Sequence, residues 1–220
     1  MKVVVGSLAI GEQYRQSVAL CTASLERYCS HNGYPLCTDA DVYDPSRPCS
    51  WSKVLLLQKH LPSCDFFAWV DADTLITNDD ARIEDFVALM GDDKVLLLGR
   101  DQNNLNMGVA IFRNHRSTFE LLRRMWDQTD CINHPWWEQQ ALIKLYDSDP
   151  QVRDIVAVIP QAHVHVLNAY ESNHCPASLL MHFAGAGMHR VAGLASRYAH
   201  LANRSDRGAF EQEMARIAVM

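Results

Sequence analysis

Short runs of apolar and β-branched residues, each closed by turn-forming residues, recur along the 220-residue chain. They fall at Lys2 to Ser7, Phe66 to Val70, Lys94 to Leu98, Val109 to Phe112, Ile155 to Ile159 and Leu179 to Phe183, and their length and composition predict strands. Between them the apolar spacing widens to about 3.6 residues, which predicts helices over Tyr14 to His31, Ser52 to His60, Ile83 to Met90, Ser117 to Trp126, Trp136 to Tyr146 and Arg207 to Ile217. Strand and helix alternate, so the expected class is α/β. Thr38 to Ser50, with its prolines and aspartates, reads as a surface loop, and Asp127 to Pro135 as a mobile connection with little to bury.

Composition narrows the choices. The length and the 48% hydrophobic content suit one globular unit spanning residues 1–220. No apolar run approaches the ~18 residues of a membrane span, and no secretory leader precedes the first strand, so a cytoplasmic product is expected. A formal charge of −6 without a basic stripe argues against a nucleic-acid partner. The seven cysteines form no CxxC pair, which favours reduced structural thiols.

One strand ends unusually. In FFAWVDADTLITN (Phe66 to Asn78) a buried-type run stops at Asp71 and Asp73, and two desolvated like charges beside a core require a cation or donors to offset them. In an extended chain they share one face with Cα atoms roughly 6.6 Å apart, close enough to share an ion. Oxygen ligands of this kind suit Mg²⁺ or Mn²⁺, which would also bind a diphosphate. His182 ends the run SLLMHF and is followed by glycines, a second place where a ligand can approach the backbone.

The blocks RYCSHNGYPL, WSK, WVDADTLITN, NMGVAIFRN, WWEQQALIKL and HFAG, in this order over roughly residues 1 to 190, resemble the retaining galactosyl-, xylosyl- and mannosyltransferase family of the eukaryotic Golgi. The resemblance implies a GT-A fold, a mixed and mainly parallel sheet flanked by helices. It implies a nucleoside-diphosphate sugar as donor, a hydroxyl-bearing acceptor, and a cation on Asp71, Asp73 and His182. By the same resemblance Gly6, Ser7, Lys53, Asp71, Ala72, Asn106, Gly108 and Gly185 face the donor. Asn106 is expected to bond sugar hydroxyls and Gly108 to leave the sugar room. Glu138 and Gln139 are expected beneath the donor sugar, where a carboxylate steadies oxocarbenium-like charge or acts as nucleophile. Trp136 and Trp137 offer an apolar sugar platform. Relatives of this type carry a diphosphate-binding lysine where this chain has Gly187, and His189 or Arg190 is the candidate replacement.

Three other readings compete. VDADTLIT also matches the DxDxT of haloacid-dehalogenase-type phosphatases, with Asp71 as nucleophile and Asp73 as acid/base, although the surrounding order does not fit. Gly187 in place of lysine favours a non-catalytic nucleotide- or carbohydrate-binding module. His163 and His165, read as alternate residues on a strand, would hold zinc with His174 or Cys175.

Overall fold

The structure is a computed structural model and describes residues 1–219. Its main sheet has six strands: β1 (Val3–Gly6), β2 (Leu36–Cys37), β3 (Phe66–Val70), β5 (Leu96–Arg100), β6 (Leu105–Arg113) and β7 (Val156–Ile159), in the order β2-β1-β3-β6-β5-β7. Only β6 runs against its neighbours. A separate two-stranded ribbon pairs β4 (Thr74–Ile76) antiparallel with β8 (Leu180–His182).

Nine α-helices are present among the described residues: α1 (Glu12–Ser17), α2 (Ala19–Asn32), α3 (Ser52–His60), α4 (Ile83–Val87), α5 (Arg116–Trp126), α6 (Trp137–Ser148), α7 (Pro150–Ile155), α8 (Met188–Tyr198) and α9 (Arg207–Ala218). They cover both faces of the sheet, as strand alternation requires. On β1, β3 and β6, Val4, Phe67, Trp69, Ala110 and Phe112 point to the layer of α3, α5 and α6, where Leu57, Leu121, Met125 and Leu142 meet them. Val3, Val5, Phe66, Ala68, Val109 and Ile111 point the other way, to Leu25 and Tyr28 of α2, Phe86 of α4 and Phe210 of α9. A smaller cluster of Val18, Cys21, Leu75, Met181, Phe183 and Val191 seats the ribbon against α2 and α8.

Several expectations shift. The helix expected over Tyr14 to His31 is broken at Val18, which is fully buried at the junction of α1 and α2. The strand expected over Val109 to Phe112 starts earlier, at Leu105, because polar Asn106 lies inside a buried strand. The segment Asp127 to Pro135 is anchored: Cys131 is buried in the core and Ile132 O accepts from Trp51 Nε1. His163 and His165 lie on a single 3-10 turn (Val164–Val166 with His163 as its cap), so the strand that was to align them is absent. All seven cysteines are unpaired.

Candidate functional site

Asp71 and Asp73 lie in the turn that links β3 to β4. The chain is not extended there, as the one-face argument supposed; the turn itself brings the carboxylates together. Asp71 N–H donates to Gly108 O at 2.7 Å, continuing the β3–β6 ladder, and Thr74 Oγ1 donates to Asp71 O at 2.8 Å. Thr74 in turn pairs with His182, so the ribbon carries His182 to the two aspartates. Its Nε2 lies 3.4 Å from Asp73 Oδ1 and 3.8 Å from Asp71 Oδ2.

Those separations decide what the three groups suit. A contact of 3.8 Å is too long for a hydrogen bond. Around an ion holding ligands at ~2.1 Å, adjacent octahedral ligands sit ~3.0 Å apart and opposite ones ~4.2 Å. The observed spacings fall between, and the donor atoms of Asp71, Asp73 and His182 all lie within 4.8 Å of one another. Among the described residues this is the one such group of His, Cys, Asp or Glu, and His163, His165, His174 and Cys175 form none.

A cleft of about 1150 Å³ opens above this group. Lys53 reaches it from α3, only 4% exposed, with its Nζ 3.2 Å from Asp71 Oδ1, 2.8 Å from Glu138 Oε1 and 3.0 Å from Met107 O. Burial lowers the ammonium pKa, but Asp71 and Glu138 outweigh it and the net shift is upward. Burial pushes the Glu138 carboxyl up and Lys53 offsets only part of that. Glu138 also keeps an orphaned oxygen: buried Oε2 has no hydrogen-bond partner among the described residues, although Glu138 lines the cleft. Burial opposes ionisation at both Asp73 and His182, yet their mutual attraction prevails, lowering Asp73 and raising His182.

The cleft is lined by Lys53, Asp71, Ala72, Asp73, Asn106, Trp136, Trp137, Glu138, Gln139, His182, Gly185 and Arg190. Gln139 Oε1 accepts from Met107 N–H at 3.0 Å, tying α6 to β6. Trp136 and Trp137 are about 40% exposed (39% and 41%), and Trp137 holds a positive φ of 42°. That backbone region is unfavourable for a bulky residue and is retained here at the cleft rim. Of the two candidate replacements for the lysine, Arg190, in the first turn of α8, lines the cleft and His189 does not.

Three residues expected to face the donor are not among those that line the cleft. Gly6 and Ser7 are buried, and the nearby residues that line the cleft are Leu8 and Ile10. A Cβ on Gly6 would strike Phe67 at 2.2 Å, so glycine there serves strand packing. Gly108 lies against His182, and its missing Cβ leaves room for the imidazole. Conversely, Asp101, Asn168 and Tyr170 surround His182 and Asn106 without having been singled out from sequence. Their separation along the chain hides the association.

A model of the galactosyl transferase GMA12/MNN10 family matches residues 7–89 and 86–193. A probable α-1,6-mannosyltransferase MNN10 of Saccharomyces cerevisiae is 24% identical over 185 residues, 67% of this chain and 46% of that protein, so the chain spans about half the length of this relative. Among solved structures, a glycosyltransferase involved in glycosylation of the major capsid of PBCV-1 superposes with a TM-score of 0.69 at 17% identity, over 90% of this chain and all of that one (100%). A mutant Drosophila β-1,4-galactosyltransferase 7 in complex with manganese, UDP-Gal and xylobiose reaches 0.50 at 10% identity, over 97% of this chain and 79% of that one. These likenesses, with the mixed six-stranded sheet, make the fold GT-A. No helix among the described residues is long and apolar enough to cross a membrane. The matched segments contain Asp71, Asp73, Glu138, Gln139 and His182, overturn the haloacid-dehalogenase reading, and show that the chain belongs to the galactosyl transferase GMA12/MNN10 family.

Proposed function

We propose that this chain transfers a sugar from a nucleoside-diphosphate donor to an acceptor hydroxyl with retention of anomeric configuration, with Mn²⁺ or Mg²⁺ held by Asp71, Asp73 and His182. The observation that carries the reading is the convergence of two carboxylates and one imidazole within 4.8 Å on the floor of a cleft lined by family residues. When bound, the cation supplies Lewis-acid stabilisation of the charge developing on the departing diphosphate. The relative complexed with manganese and UDP-Gal supports this donor class.

The remaining roles fall to the chain's own groups. Lys53 holds Asp71 and Glu138 in place from below, and Arg190 stands in for the lysine that Gly187 lacks. Ala72 and Gly185 give the donor close access to backbone. Glu138 is fixed by Lys53 with one oxygen unsatisfied, which suits a hydroxyl or developing positive charge of the donor sugar. Gln139, anchored through Oε1, orients the sugar beside it. Trp136 and Trp137, which line the cleft, offer an apolar platform for a sugar. Attack by the acceptor hydroxyl on the face the diphosphate leaves, with its proton taken by the leaving phosphate, needs no side-chain base.

Calorimetry with a panel of nucleotide sugars and Mn²⁺ tests the metal assignment. Asp73→Ala is expected to abolish cation-dependent donor binding, whereas Gln139→Ala spares binding and slows transfer. Unchanged manganese-dependent affinity in Asp73→Ala would refute the ligand set, and absence of turnover with any donor would favour a non-catalytic binding module.

A further inference from the structure

His182 carries the cation only if the lone pair of Nε2 faces Asp71 and Asp73, which requires its ring proton on Nδ1. Nδ1 lies 3.1 Å from Asn168 Oδ1. Which atom Asn168 turns to the ring depends on its other contact: Nδ2 donates to Asn106 Oδ1 at 2.9 Å. The orientation of Asn106 is in turn fixed from both ends. Its Oδ1 accepts from Gly108 N–H at 2.7 Å, a backbone group that can only donate. Its Nδ2 donates to Asp101 Oδ2 and to Tyr170 Oη, each at 2.8 Å, while Tyr170 Oη donates to the same Asp101 oxygen at 2.6 Å. Asp101 cannot rotate away, because its Oδ1 accepts from Asn103 and Asn104 N–H at 2.6 and 3.2 Å.

Read from its anchors outward, the chain has one consistent assignment of donors and acceptors. Flipping Asn106 would set N–H against Gly108 N–H and oxygen against Asp101, and flipping Asn168 would set its oxygen against Asn106 Oδ1, in a buried site where each unmade bond costs about 1–3 kcal/mol. Asn106, Asn168 and His182 are all nearly buried, at 7%, 1% and 4% exposure. Both amide atoms of Asn106 are doubly engaged, so no capacity remains for the sugar hydroxyls it was expected to bind.

We infer that Asp101, Asn106 and Asn168 form a positioning relay that holds the proton of His182 on Nδ1 and so presents Nε2 to the cation. Asn168 is the positioning residue in contact with the ring; Asp101 and the Gly108 backbone orient it through Asn106. The function of the relay rests on the metal reading above, but the proton position does not. Partners of this outer kind typically change metal affinity by about 10–100-fold.

The test is imidazole ¹⁵N NMR of the metal-free protein at a pH where the ring is neutral, with the His182 signals assigned by their loss in His182→Gln. The relay requires protonated Nδ1 and unprotonated Nε2. Electron paramagnetic resonance of free Mn²⁺ supplies a second readout. Asn168→Ala, which removes the acceptor for Nδ1–H, should bind Mn²⁺ roughly tenfold more weakly. Circular dichroism identifies a variant that has failed to fold, in which case the wild-type spectrum alone decides. A wild-type ring protonated on Nε2, or Asn168→Ala binding Mn²⁺ like wild type, overturns the relay. Protonated Nδ1 in a wild type that binds no Mn²⁺ supports the proton assignment and refutes the metal reading instead.

Discussion

Gly108→Ala isolates the steric arrangement of the site. A Cβ at this position would lie 2.2 Å from His182 Cε1, 2.6 Å from its Nδ1 and 2.9 Å from Asn106 Oδ1, whereas ordinary contact begins near 3.4 Å. The imidazole must therefore retreat by about 1.2 Å, or β6 must move by as much. Neither is easy. The backbone N–H of His182 donates to Ala169 O at 2.7 Å and its strand pairs with β4, while Gly108 N and O are both bonded, to Asn106 and Asp71. Overpacking of this kind costs about 1–3 kcal/mol. A ligand shift of about 1.2 Å also far exceeds the ~0.2 Å tolerance of a metal site, so Mn²⁺ affinity should fall by at least about tenfold. Urea unfolding of the metal-free protein reads the first effect, and Mn²⁺ titration by paramagnetic resonance the second. A variant with wild-type stability and wild-type Mn²⁺ affinity would show that His182 does not occupy the space over Gly108.

Two further outcomes follow from the charges around the cleft. Lys53→Met removes the only cation touching Glu138 among the described residues and leaves that buried carboxylate unpaired; urea unfolding should show a loss of about 3–5 kcal/mol, partly recovered by adding Glu138→Gln, and no recovery would refute the pairing. The pKa of His182 is raised above its ordinary 6.5 because Asp73 and Asp71 outweigh the effect of burial. The imidazolium therefore stabilises the metal-free protein fully below that value, and the contribution is lost as pH rises through the folded-state pKa. Mn²⁺ competes with the proton for Nε2, so its affinity should rise across the same interval. Paired pH series of unfolding and Mn²⁺ titration check both directions, and persistence of the interval in His182→Gln would assign it to another group.

Local pattern carried much of the fold. The five-residue run FFAWV predicted β3 because a strand buried on both faces must be apolar throughout, and Asp71 and Asp73 stood out because charge at its end demands compensation. The resemblance, resting on short contiguous blocks, pointed to Lys53, Glu138, Gln139 and His182, all of which line the cleft. Tertiary structure alone decided the rest. β4 is three residues long and becomes a strand by pairing with β8 about a hundred residues later, and periodicity reports burial of a segment without naming its partner. Gly108 was read as space for a ligand, yet the neighbour that needs the space is His182. Asp101, Asn106, Asn168 and Tyr170 acquire meaning only together, because a hydrogen-bond direction is set by the whole chain of donors and acceptors, and that chain joins three separate stretches of sequence.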